Sequence, residues 1–128
     1  MTDNQISELE GSVFDPAELI TYQDGAIVSR TLIDREAATL TIFAYDADQT
    51  VSEHTAPHQA MIRVLEGQAR VTVDGTEHEL GAGEAVAMSS GTPHSVAAVE
   101  PFKMMLTKVR WPGHSLIFAS AVSYTPLP

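Results

Sequence analysis

The feature that most limits what this chain can become is a cadence. Short apolar stretches recur at intervals of about eight to twelve residues, each closed by Gly, Asp or Pro. Ala26 to Ile33 follows the turn pair Asp24-Gly25, and Ala37 to Tyr45, rich in Thr, Ile, Leu and aromatic residues, closes at Asp46-Ala47-Asp48. Met61 to Leu65 and Ala69 to Val73 flank Glu66-Gly67-Gln68. Asp74-Gly75 is a two-residue hairpin signal before Thr76 to Leu80, and Gly81-Ala82-Gly83 turns the chain into Ala85 to Met88. His94 to Val99 and Phe102 to Val109 complete the set. No stretch carries a convincing helical period and nothing supports a βαβ unit, so the expectation is an all-β sandwich or barrel. Asp15-Pro16 alone reads two ways, as the start of a short turn through Ala17 to Ile20 or as an extended edge.

A length of 128 residues gives room for one domain with a single core. Residues 1–15 are polar and acidic with no period and read as a flexible arm; residues 16–110 carry the strands. Residues 111–128 form an apolar tail in which S-L-I-F-A-S-A-V follows the break Trp111-Pro112-Gly113. Such a segment packs back on the barrel, adds a strand to a neighbour or covers an open edge as a short helix. A subunit interface is the preferred reading, and with the edge-forming region Leu19 to Ile33 it leads to the expectation of a homodimer.

Charge narrows the partners. Seventeen acidic against seven basic residues give a net charge of −10, and Lys103 and Lys108 are the only lysines. Phosphate backbones and anionic membranes bind through clustered Lys and Arg, so neither nucleic acid nor a membrane surface is an expected partner. Simple solubility and adaptation to high internal salt both account for the acidity. With no cysteine there is no disulfide, thiolate nucleophile or thiolate metal site. No apolar run is long enough to cross a bilayer, and M-T-D-N-Q-I-S-E lacks both a basic start and an apolar segment, so the expected location is the cytoplasm.

Chemistry is concentrated in V-S-E-H-T-A-P-H-Q-A-M-I-R-V-L-E-G, Val51 to Gly67, and in G-T-P-H-S-V around His94. His54 and His58 stand four residues apart just ahead of an apolar run. If the backbone stayed extended, Ala56, His58 and Ala60 would share a face with His54. Pro57 makes the segment an edge strand or a bend instead, either of which can aim both imidazoles into one cavity.

These residues resemble the two motifs of the cupin superfamily, small jelly-roll barrels built as a double-stranded β-helix. Counting back from Gly67, the first motif's Glu falls on Ala60, its second His on Ala56, its first His on His54 and its leading Gly on Asp48. In the second motif Gly83, Gly91 and His94 are in place, while Ser89 stands for the Pro and Ala98 for the Asn. The likeness runs roughly from residue 37 to 109 and implies a single-domain jelly roll with ligands facing the barrel axis. By position His54 and His94 survive from the family's metal set, and His58 is the candidate third ligand. Three imidazoles suffice for a divalent ion, whether Zn, Fe, Mn, Ni or Cu. Without the family's Glu such a site is neutral and favours an anionic or enolate-like ligand. The competing reading of the histidines is a hydrogen-bonded core pair. Gln59 offers an amide oxygen or is a surface residue; Arg63, where the family often carries an aromatic, anchors a carboxylate or pairs with a surface acid. Met88, with other methionines, lines a pliable cavity or fills core. The resemblance suggests an oxygenase or isomerase acting on a small organic molecule, with a non-catalytic small-molecule or metal binding module as the alternative.

Overall fold

A computed structural model describes residues 5–110. Nine strands form in chain order: β1 (Ile27–Asp34), β2 (Ala38–Tyr45), β3 (Thr50–His54), β4 (Gln59–Glu66), β5 (Gln68–Val73), β6 (Thr76–Gly81), β7 (Ala85–Met88), β8 (His94–Ala98) and β9 (Phe102–Val109). They make two antiparallel sheets, one ordered β1-β2-β9-β4-β7 and the other β3-β8-β5-β6. The all-β jelly roll expected from the sequence is therefore the fold, and most strands lie within a residue or two of their expected limits.

Alternation decides which residues meet. On β2 and β9, Phe43 and Tyr45 face the same way as Met104 and Phe102, which stand opposite them in register. These residues enter the core between the sheets with Ile62, Val64, Val71 and Val96. The Tyr45 and Phe102 rings stack at 4.6 Å, a contact worth about 1 kcal/mol beyond the area it buries. Gly67 closes this end: its φ of +79° suits glycine, and a Cβ there would be driven into Pro101 O and lie 2.7 Å from Phe102 Cα. At the other end of the β5–β6 hairpin, Asp74 and Gly75 take φ of 50° and 82°, the pair of positive values that a two-residue type I′ turn requires.

The opposite face of the larger sheet is also covered. Ile20, Leu32, Ile42 and Ala44 form a second buried cluster, against which Ile6, Leu9, Leu19 and Tyr22 pack. Asp15 caps a 3-10 helix, Pro16–Leu19, by accepting from Ala17 N, so the first of the two readings of Asp15-Pro16 holds. Lys103 Nζ donates to Ala17 O at 2.6 Å, and Tyr22 donates to Glu66 at 2.7 Å. Within the segment read as a loose arm, Gln5–Leu9 forms another 3-10 helix, and Gln5 accepts from Arg30 at 2.7 Å. Ile6 and Leu9 have an apolar surface to cover, a tertiary reason that local polarity conceals. The apolar tail, residues 111–128, lies outside the described residues.

Candidate functional site

Where β3 stops and β8 starts, residues of both sheets line one cavity, and β3 is irregular at that point. Val51 stands opposite Val96 and His54 opposite His94, so three steps on β3 match two on β8. In an unbroken strand Val51 and Glu53 would share a face. One inserted residue puts His54, whose ring stays largely exposed, in the cavity lining in place of Glu53. Gly91 N donates to Ala56 O at 2.8 Å, fastening the loop after His54 to the loop before His94, and Asp74 N donates to Pro93 O at 2.8 Å.

The two imidazoles are in contact, with ring centres 4.2 Å apart and planes tilted by 59°. His54 Nδ1 lies 2.9 Å from Ser52 O and His94 Nδ1 lies 2.9 Å from Thr92 O. A carbonyl oxygen only accepts, so each Nδ1 is the donor, and Nε2 is the ring nitrogen left for a guest. Behind them is a cavity of about 180 Å³, walled by Phe43, Tyr45, Val51, Ile62, Val96, Met104 and Leu106. Apart from the histidines its one polar side chain is Tyr45, whose burial pushes the phenol up to about 12, so it stays protonated at neutral pH. An apolar cavity of roughly 150 Å³ holds benzene, which sets the scale of a guest.

His58 is elsewhere, a correction to the three-histidine arrangement. β3 ends at His54 in one sheet, the chain bends at Pro57 and His58, and Gln59 opens β4 in the other sheet. Four residues that would share a face in one strand are thereby divided between two layers. His58 lines a separate recess with Arg35, Glu36, Ala38, Thr39, Lys108 and Arg110. Gln59 and Met88 line a third, open groove of about 420 Å³ with Met61, Ala87 and Thr107. Arg63 is exposed, opposite Met105 and Ala85. Sequence reasoning missed Tyr45, Thr39 and Lys108 as inward residues, although the parity of Thr39, Thr41, Phe43 and Tyr45 along β2 carried the signal.

Among the described residues no group of three or more His, Asp or Glu is arranged to hold a metal ion. His54 and His94 supply two nitrogens, where a catalytic site takes three protein ligands. Two imidazoles on one tetrahedral ion would place their ring centres about 5 Å apart, so the pair at 4.2 Å would have to open slightly. His54 and His94 therefore offer two ligands, and the described residues place no third His, Asp or Glu beside them.

Comparison with known proteins agrees with the fold. A conserved protein of unknown function from Streptococcus pyogenes is 31% identical over 81% of this chain and 91% of its own, with a TM-score of 0.76. A cupin 2 conserved barrel domain protein from Leptotrichia buccalis is 34% identical over 73% of this chain and 46% of its own, at a TM-score of 0.71. A cupin superfamily protein from Desulfitobacterium hafniense, 20% identical over 80% of this chain and 94% of its own at a TM-score of 0.76, shares the fold. No curated protein matches the chain. No helix among the described residues is long and apolar enough to cross a membrane. The Cupin domain family's sequence model matches residues 41–108, the span that holds both histidines and the strands around them, and the chain belongs to that family.

Proposed function

We propose that this cupin binds a small organic molecule of about benzene size in the cavity behind His54 and His94, with the two Nε2 atoms meeting its polar group. The observation that carries the reading is the contact pair of imidazoles, each Nδ1 held by a backbone carbonyl, beside a cavity whose remaining lining, Tyr45 apart, is apolar. Such a site gains affinity from apolar burial and orientation from a few polar atoms. Of the two reaction classes that the family resemblance suggests, isomerisation fits better. It needs a base that takes a proton from one atom of the guest and returns it to another, and an imidazole Nε2 that has taken the proton becomes the imidazolium that gives it back. An oxygenase would need an oxygen-activating centre for which these residues offer only two nitrogens.

A second reading keeps a divalent ion, with His54 and His94 as two ligands and the guest or water completing the shell. The free Nε2 lone pairs favour it, since a ligating histidine commonly gives its other ring N–H to a carbonyl. Protein purified without an affinity tag separates the readings through elemental analysis and mass spectrometry of released small molecules. An organic molecule released from wild type but not from His94→Leu, with metal well below one per chain, is the expected result. Metal near one per chain, lost in both His54→Ala and His94→Ala, moves the function to the second reading. If neither appears, and phenol, benzoate and zinc chloride all fail to shift the His54 and His94 ring resonances, both readings fall.

A further inference from the structure

The recess around His58 has its own chemistry, independent of what fills the histidine cavity. On β2 and β9, Thr39 stands opposite Lys108, two steps beyond Thr41 and Leu106 on the inward side. Ala60 also faces Lys108, so His58, the next inward position on that side, meets Arg110 and receives its Nε–H on Nε2 at 3.0 Å. Arg110 Nη1 donates to Glu36 O at 3.1 Å. Arg35, Lys108 and Arg110 therefore gather at one recess of about 60 Å³, with Glu36 the one acid beside them. This is three of the seven basic residues of a chain with net charge −10.

The recess also holds donors with nothing to give to. Because Nε2 accepts from Arg110, a neutral His58 carries its proton on Nδ1, and that atom is buried without a hydrogen-bond partner. Thr39 Oγ1, a hydroxyl of the same recess, is likewise buried and unpartnered. Leaving such atoms unpaired costs about 1–3 kcal/mol each; the His58 N–H lacks an acceptor, and the Thr39 hydroxyl is free to donate to the same one. Three cations and two orphan donors around a space of this size share one complement.

We propose that this recess binds a small oxyanion, a carboxylate or a phosphate, with Arg35, Lys108 and Arg110 supplying charge and Thr39 and His58 the directed hydrogen bonds. A planar carboxylate and a tetrahedral phosphate both present oxygens to such a set, and guanidinium groups bind either in bidentate fashion.

The test uses the full chain, sodium phosphate and sodium acetate as separate probes, and sodium chloride at matched ionic strength as the control, because a chain this acidic is stabilised by screening alone. The readouts are the ring resonances of His58, His54 and His94 and titration calorimetry. A saturable shift at His58 with phosphate or acetate, absent with chloride, is the expected result. The probe that binds more tightly identifies the source as phosphate-bearing or carboxylate-bearing. Arg35→Gln and Lys108→Gln should each weaken binding about tenfold, and Thr39→Val should weaken it about threefold; circular dichroism checks that each variant is folded. A linear response equal to that of chloride, or unchanged affinity in the Arg35→Gln, Lys108→Gln double variant, overturns the proposal.

Discussion

The two ends of this sandwich are built from the same strands and have opposite characters. At the Gly67 end the inward positions are rings and aliphatic side chains: Tyr45 stacks on Phe102, Val64 and Ala69 are fully enclosed, and the turn glycine leaves no room for a side chain. Along the same strands towards the other end, inward positions become His54, His94, Thr39 and Lys108. Polar and charged groups cost free energy at such positions unless they are paired. One end therefore holds the fold together, while the other carries groups that the fold does not need.

The largest effect should come from the closed end. In Gly67→Ala the added Cβ meets Pro101 O and the Phe102 backbone, which cannot swing away, and the residue must also hold a φ of +79°. A loss of about 3 kcal/mol or more is expected in urea unfolding. A loss below about 1 kcal/mol would mean that this end is loose and the contrast wrong.

The complementary experiment is His94→Leu, which replaces a half-buried polar ring beside an apolar cavity with an apolar side chain. Stability should hold or rise by about 0.5–1 kcal/mol, as is common where a functional residue is removed, while release of the cavity's organic guest is lost. A drop of 2 kcal/mol or more would reassign the pair to structure and end the functional reading of the open end.

How much of this was legible in the sequence follows from which interactions decide each part. Strand positions were readable because alternation and turn chemistry are local: Asp74-Gly75 announces its own hairpin. The motif glycines were readable too, since Gly67, Gly83 and Gly91 all take positive φ, as does Asp48 where the family places its leading Gly. The site was readable only in part. His54 and His94 came from the family pattern, but their register depends on an inserted residue in β3 that alternation alone does not announce. Alternation would have aimed Glu53 at the cavity. His58 was misplaced because nothing local says that the chain changes sheets at Pro57. The packing of Ile6 and Leu9 was hidden for the same reason, since their partners Leu32 and Ile42 lie far along the chain.

The bulge itself gives a sharper test. Exchanging the two residues, Glu53→His with His54→Glu, would return a histidine to the cavity if β3 were regular. With the bulge it sends a carboxylate there instead. The expected outcome is loss of the through-space contact between the two rings in nuclear Overhauser spectra, with stability changed by less than about 1 kcal/mol because position 54 is exposed. Persistence of the contact would show that β3 runs without the inserted residue.

The smallest effect concerns His58 and is the most informative about the rim. Partial burial, the guanidinium of Arg110 and the ammonium of Lys108 hold its imidazole below the usual histidine range. Arg35 and Glu36 complete the charged groups at the recess. A base whose folded pKa is depressed binds protons less readily in the native state than in the unfolded chain. As pH falls from above about 6.5 towards the lowered native value, the unfolded chain takes up a proton that the fold refuses, and stability declines. His58→Gln removes this proton uptake, so its melting temperature relative to wild type should rise between pH 7 and pH 5. An oxyanion in the recess would offset the two cations, raise the imidazole towards its ordinary range and flatten that difference. Melting curves of both proteins at pH 5, 6 and 7, in phosphate and in chloride of equal ionic strength, therefore ask two questions at once. A difference that is already flat in chloride would mean that Arg110 and Lys108 do not act on His58. A difference equally steep in both salts would place any bound phosphate away from this histidine, and the rim would then be a charged edge without a ligand.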